Sequence, residues 1–324
     1  MPHVRHLVTG GAGFIGSHVV ERLVGEGAQV RVVDDLSTGS LANLAPWRDR
    51  IEFIEGDLAV PGVAERAVEG CDVVFHLGAL GSVPRSLSDP WGTHRANVNA
   101  TVLLLEASRR AGVRRLVFSS SSSVYGDTPV LPKREAVEPL PRSPYAVSKL
   151  AAEQYVLAYA RAGLLEGVAL RYFNVFGPRQ SPTGPYAAVI PLLMHAALRG
   201  GTMRLNGDGR QTRDFTYVDN VVTANLLAAH GDAARVSGQV VNVGAGDRIS
   251  LLELVALVAE TSGRHVEVTH GPPRAGDVRD SLAGLERARE VLGYEPRVPA
   301  REGIARTWAW WLAHDDASTV ASEV

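Results

Sequence analysis

The chain has 324 residues, 33 of them basic and 35 acidic, for a formal charge of −2. That balance excludes a nucleic-acid binder, which needs a clustered basic excess, and 45% apolar against 21% charged residues excludes wholesale disorder. No apolar run reaches the ~18 residues of a membrane helix, residues 3–8 run into a glycine turn without space for a signal peptide, and the single Cys71 permits neither an intrachain disulfide nor a thiolate metal site, so a cytoplasmic protein that engages neither nucleic acid, membrane nor metal is expected.

In chain order, short β-branched runs alternate with amphipathic stretches, the pattern of a parallel α/β sheet. A strand at 7–9 is followed by glycines and a helix over 14–26 closed by Gly27. Strands follow at 30–34, 51–54, 73–77 and 116–119, the last two wholly apolar, as in strands covered on both faces. Helices are expected at about 93–111 and 144–162, with Pro144 suited to a first turn, and a further strand at 168–172. After Phe176 a Gly/Pro-rich loop gives way to helices at 189–199, 218–230, 250–260 and 301–314 with few strands, and 240–243 returns to the main sheet. The expected class is α/β: a Rossmann-like doubly wound parallel sheet with a smaller, mostly helical C-terminal substrate lobe. The expected domains are 1–176, with 215–245 returning to it, then 177–314, then a frayed tail at 315–324.

Gly10, Gly11, Gly13 and Gly16 lie between the first strand and first helix. Glycines there let the backbone turn tightly, let a pyrophosphate approach bare N–H groups and let helix pack on strand. Asp34 ends the second strand, where a carboxylate accepts hydrogen bonds from an adenosine ribose and repels a 2′-phosphate. An ordinary βα turn has the glycines without the acid, so the combination predicts bound NAD in preference to NADP.

Tyr145 and Lys149 share a helical face at i and i+4. A free tyrosine, with a pKa of about 10, is a poor base at neutral pH. A nearby ammonium is expected to lower that value and make proton abstraction from a sugar hydroxyl feasible. Lys149 is also one of only two lysines, with Lys133, in an arginine-dominated chain. A serine cluster, Ser119 to Ser123, closes the preceding strand, where open α/β sheets collect their chemistry.

Residues 9–16 (TGGAGFIG), the serines before Val124-Tyr125-Gly126, and Tyr145 with Lys149 resemble the extended short-chain dehydrogenase/reductases over nearly the whole chain. The resemblance implies that Ser121 bridges substrate and Tyr145, with Ser122 and Ser123 as alternatives. It implies a cofactor set of Gly10, Gly13, Phe14, Ile15, Gly16, Asp34, Asp35, Ser37, Thr38, Gly39, Asp57, Leu58, Leu77, Ala79, Asn97, Tyr145, Lys149 and Tyr172, with Lys149 on the nicotinamide ribose. Gly78 stands where the family usually has alanine, a change expected to loosen that turn.

Members of the family split between epimerisation, dehydration, decarboxylation and reduction of nucleotide sugars. Dehydratases resemble one another in an acidic pair just after the Ser/Thr, and decarboxylases in a glutamate there. Ser122 and Ser123 supply no carboxyl proton for a leaving hydroxyl, which disfavours both. Asn174, Arg213 and Arg274 for phosphate, with Asp277 for ribose, resemble the UDP-grasping set of UDP-hexose 4-epimerases. Ser82, Arg85, Tyr145, Val189 and Ser281 complete the implied substrate set. Residues 81–86 and 274–281 look closest to bacterial UDP-N-acetylglucosamine 4-epimerases, and Ser281 leaves room for a C2 N-acetyl group. The resemblance therefore implies reversible C4 epimerisation of UDP-GlcNAc/UDP-GalNAc, extending to UDP-Glc/UDP-Gal, by a homodimer with bound NAD. UDP-glucuronate 4-epimerisation, a nucleotide-sugar dehydrogenase or reductase, and a non-catalytic NAD sensor remain the alternatives.

Overall fold

A computed structural model of the chain describes residues 4–183, 187–272 and 278–314. Seven parallel strands form the central sheet: β1 (Arg5–Thr9), β2 (Gln29–Asp34), β3 (Ile51–Glu55), β4 (Val73–His76), β5 (Arg115–Ser121), β6 (Glu166–Tyr172) and β7 (Gln239–Val243). Their order in space is β7-β6-β5-β4-β1-β2-β3. The chain order therefore reverses between β1 and β4, and a crevice opens beyond the carboxyl ends of those two strands.

Alternation along each strand decides what is buried. Val8, Val32, Phe75, Val117 and Val168 face one apolar layer. Their neighbours Leu7, Val33, Val74, Leu116 and Ala169 face the other. The registers Val8↔Phe75 and Phe75↔Val117 align the first row across the sheet. Each such valine, leucine or phenylalanine side chain, almost fully buried, contributes roughly 1.5–3 kcal/mol against leaving it in water. Both faces need a cover. Helices α1 (Phe14–Gly25) and, later in the chain, Val218–His230 pack together against one layer, while α2 (Ala100–Ala111) and α3 (Pro144–Arg161) close the other.

The helix expected at 93–111 starts earlier and is not uniform. Asp89 accepts the Gly92 N–H and Pro90 opens the first turn. A π-helical turn, Arg95–Asn99, then leads into α2. Inside that turn Asn97 Oδ1 accepts the Leu80 N–H at 2.8 Å and Asn97 Nδ2 donates to Ser148 at 2.9 Å. The irregular turn thus aims one amide at the loop after β4 and at α3 together.

The C-terminal segment supplies α4 (Val189–Arg199), α5 (Val218–His230), α6 (Leu251–Ser262) and α7 (Ala300–Ala313). Sequence reading missed a parallel pair between strands Thr202–Asn206 and Glu267–Gly271. It also missed the short helices Val63–Val68 and Glu286–Leu292. The strand at 240–243 returns as expected, with β7 pairing β6 at the sheet edge.

Candidate active site

The carboxyl ends of the central strands open onto a cleft of about 1260 Å³ that runs on into the C-terminal segment. On its cofactor side Gly10 turns with φ +65°, and a Cβ there would lie 2.7 Å from the Gly78 Cα. A Cβ on Gly16 would lie 2.1 Å from the Gly10 carbonyl oxygen, so α1 can approach the turn only without one. No side chain caps the first turn of α1. Phe14, Ile15 and Gly16 line the cleft, leaving the positive end of the helix dipole for an anion. The Asp34 carboxylate accepts the Ala12 and Leu36 N–H groups, both at 2.9 Å. Burial pushes its pKa up while those N–H groups pull it down. It is thereby fixed at the end of β2, and a pyrophosphate with its adenosine ribose fits this cradle.

Asp35, Ser37, Thr38, Asp57, Leu58, Leu77, Ala79 and Tyr172 also line the cleft. Asp35 accepts the Ser37 N–H and hydroxyl, Asp57 pairs with Arg95 at 2.7 Å, and the Tyr172 hydroxyl accepts from Asn225 at 2.8 Å. Gly39 and Asn97 stand behind the wall rather than in it. A Cβ on Gly39 would lie 3.0 Å from Asp34 Oδ1, and Asn97 is buried under the Leu80 loop. At Gly78 a Cβ would meet the Thr9 hydroxyl at 3.2 Å. The turn is nevertheless pinned, because Thr9 Oγ1 accepts the Gly78 N–H at 3.0 Å and contacts His76 Nδ1 at 2.8 Å.

On the reaction side, β5 delivers the serines and α3 delivers Tyr145 and Lys149. Ser143 caps α3 by accepting the Ala146 N–H, and Pro144 sets its first turn. Ser121 accepts from the Ser123 hydroxyl at 2.9 Å and shares a hydrogen bond with the Tyr145 hydroxyl. Lys149 is 4% exposed, and its Nζ donates to the Ser119 carbonyl oxygen at 2.9 Å. With no carboxylate to offset burial, its pKa falls to about 7.

One expectation is corrected here. Burial raises the Tyr145 pKa, and the opposing pull comes from Ser121, not from Lys149. The ammonium is turned to the Ser119 carbonyl instead.

Ser82, Arg85, Ser122, Ser123, Asn174, Arg213 and Ser281 also line the cleft. Ser82 caps helix Val83–Ser88 through the Arg85 N–H. Asn174 sits at φ +21° with its amide on the Asp214 carbonyl. Arg213 Nη1 donates to the carbonyls of Thr212 and Arg279 at 2.9 and 3.1 Å. Ser281 is 6% exposed, its N–H on the Thr212 carbonyl. Val189 begins α4, and its neighbours Ala187 and Ala188, not Val189, form the wall. Arg274 and Asp277 lie outside the described residues.

Three supports of the site went unread in the sequence. Asp214 is fully buried and accepts the N–H groups of Ala245, Gly246 and Ala283 at 2.7–3.1 Å, tying three chain segments together beside Arg213. Beneath the serines, Glu153 accepts Ser120 at 2.6 Å and pairs with Arg171 at 2.7 Å. Lys133 also lines the cleft; its rarity was the available signal.

Among known families, the one described as the NAD dependent epimerase/dehydratase family matches residues 6–244. The chain is 44% identical over 308 residues to a UDP-glucose 4-epimerase of Mycolicibacterium smegmatis, covering 94% of this chain and 97% of that protein. A UDP-glucose 4-epimerase of Thermotoga maritima, solved with UDP-glucose, superposes with a TM-score of 0.91 at 39% identity, covering 96% of this chain and 99% of that one. A UDP-N-acetylglucosamine 4-epimerase of Methanobrevibacter ruminantium, in complex with UDP-N-acetylmuramic acid, superposes at 0.89 with 36% identity, covering 97% and 99%.

Proposed function

The chain belongs to the NAD dependent epimerase/dehydratase family, and from that premise we propose that it interconverts the C4 epimers of a UDP-hexose. The observation that carries the reading is one cleft holding Tyr145, Ser121 and Lys149 beside the uncapped α1 turn and Asp34. Residues 1–176 with 215–245 form the cofactor body in this reading, and 177–314 the substrate lobe.

NAD, which the uncapped α1 turn, Asp34 and Lys149 would hold, would supply a reversible hydride acceptor for C4. Tyr145 takes the proton of the 4-hydroxyl through Ser121 and later returns it to O4 of the turned-over 4-keto sugar. Lys149, on the same helical face, favours the phenolate once its ammonium turns from Ser119 towards the phenol. Asn174 and Arg213 hold the diphosphate together with Arg274, and Asp277 takes the ribose hydroxyls, so that binding energy comes from the nucleotide and the hexose is free to turn over. Ser122 and Ser123 line the reacting end without an acid, which supports epimerisation over loss of the neighbouring hydroxyl. Ser281 leaves the wall open to an N-acetyl group, so UDP-GlcNAc and UDP-GalNAc are substrates together with UDP-Glc and UDP-Gal.

The proposed assembly is a cytoplasmic homodimer. Trp91, Val147 and Tyr155 stand 68%, 50% and 45% exposed, and a second copy set against them would remove that apolar surface from water. Incubating the purified protein with a panel of UDP-sugars without added NAD, then separating the products, tests the function. Appearance of the C4 epimer with no lasting change at 340 nm is the expected outcome; a lasting change identifies a dehydrogenase or reductase instead.

A further inference from the structure

Lys133 is the lysine that the proposed reaction leaves without a role. Its side chain is 1% exposed, yet it stands in the cleft wall with Gly126, Ser123, Arg213 and Ser281. Its backbone is fixed there: the N–H donates to the Leu282 carbonyl, and its own carbonyl accepts the Gly284 N–H, both at 2.8 Å. The Asn242 amide adds a third bond, also at 2.8 Å. Nζ donates to the Gly126 carbonyl at 2.9 Å and, among the described residues, makes no ion pair.

Two carboxylates reach it only through their fields, and both are engaged elsewhere. Asp127 pairs with Arg142 and accepts the Arg279 N–H; Asp280 accepts the Thr212 hydroxyl and faces Arg248. Arg213 adds like charge, and burial drives the Lys133 amine below its ordinary value. A buried ammonium that meets one carbonyl for three N–H groups among the described residues is an expensive wall, and an apolar side chain would fill the space at less cost.

We propose that Lys133 is a substrate-binding residue whose ammonium donates to oxygen acceptors of the UDP-sugar, in its diphosphate or its hexose. The inference rests on the nucleotide-sugar reading given above. A ligand arriving in the cleft supplies acceptors beyond the Gly126 carbonyl, the one that Nζ meets among the described residues.

The test is made on NAD-loaded enzyme carrying Lys133→Met or Lys133→Gln. Titration calorimetry with UDP and with UDP-GlcNAc is combined with kcat and KM for epimerisation. Binding of the UDP-sugar and its KM should weaken about tenfold or more, the size of one charge-assisted hydrogen bond, with kcat and NAD retention near wild type. An equal loss for UDP alone assigns the contact to the diphosphate; a loss confined to the UDP-sugar assigns it to the hexose. Glutamine retains a donor for Gly126 without the charge, so Lys133→Gln decides the matter should the methionine variant fail to fold. Unchanged affinity in Lys133→Gln, or NAD and UDP-sugar binding falling together, overturns the proposal and leaves Lys133 a brace for the Gly126 turn. Wild-type protein that epimerises no UDP-sugar yet binds UDP in a Lys133-dependent way refutes the enzymatic reading alone.

Discussion

Replacing Gly16 by alanine tests the cofactor cradle where the geometry is least forgiving. The added Cβ would lie 2.1 Å from the Gly10 carbonyl oxygen and 2.8 Å from the Gly11 Cα. Both are backbone atoms, so no side chain can swing aside, and α1 must retreat from the turn by about 1 Å to restore ordinary contact. Overpacking of this kind costs roughly 1–3 kcal/mol of stability. The retreat also withdraws the first-turn N–H groups from the pyrophosphate. Losing one charge-assisted hydrogen bond weakens NAD binding by about 1.5–3 kcal/mol, or roughly ten- to a hundredfold in Kd. Gly13→Ala separates the two effects. Its backbone is already extended at φ −77°, and its Cβ would meet only the Gly10 oxygen, at 3.1 Å. That variant should melt close to wild type while still binding NAD less well, because Gly13 lines the cleft. Thermal unfolding with and without NAD, together with NAD titration of stripped protein, measures both terms. A Gly16→Ala protein with wild-type Tm and NAD affinity would refute the reasoning.

Three further outcomes follow from the site. Tyr145→Phe should lower kcat by about 10²–10⁴, the usual worth of a positioned acid–base group, while retaining NAD; near-normal turnover removes Tyr145 as the base. In NAD-free protein, Lys149 has a folded pKa of about 7 against an ordinary 10.5. Between those values the unfolded chain holds a proton that the folded chain has shed, so stability rises with pH. Wild type should therefore gain about 2–3 kcal/mol over Lys149→Met between pH 6 and 9, and parallel denaturation profiles for the two would contradict the buried-amine account. Ser281→Tyr, which fills a buried wall position, should abolish turnover of UDP-GlcNAc while sparing UDP-glucose; equal loss of both in a steady-state assay sinks the size argument.

Where composition and period agree, the sequence was legible. Helices Val189–Arg199 and Val218–His230 fall on the expected residues, and β4 and β5 lie within two residues of theirs, because apolar strands between turn signals leave few alternatives. Pairing between Thr202–Asn206 and Glu267–Gly271 was not legible: its partners are 65 residues apart, and Thr202 and Glu267 are exposed. The π-helical turn at Arg95–Asn99 answers to tertiary contacts of Asn97, which no local pattern encodes. At the site, residue types announced Asp34, Tyr145 and Lys149. Orientation was not encoded in the same way: Lys149 faces the Ser119 carbonyl because β5 and α3 pack there, and burial is left to set the direction of the Tyr145 shift.

The central claim is that the hydrogen removed from C4 is the one put back. Wild-type enzyme given UDP-glucose or UDP-GlcNAc deuterated at C4, in ordinary water and without added NAD, tests it most directly. Mass spectrometry of the epimerised product should show the deuterium fully retained at C4. Loss of the label to solvent would contradict the account.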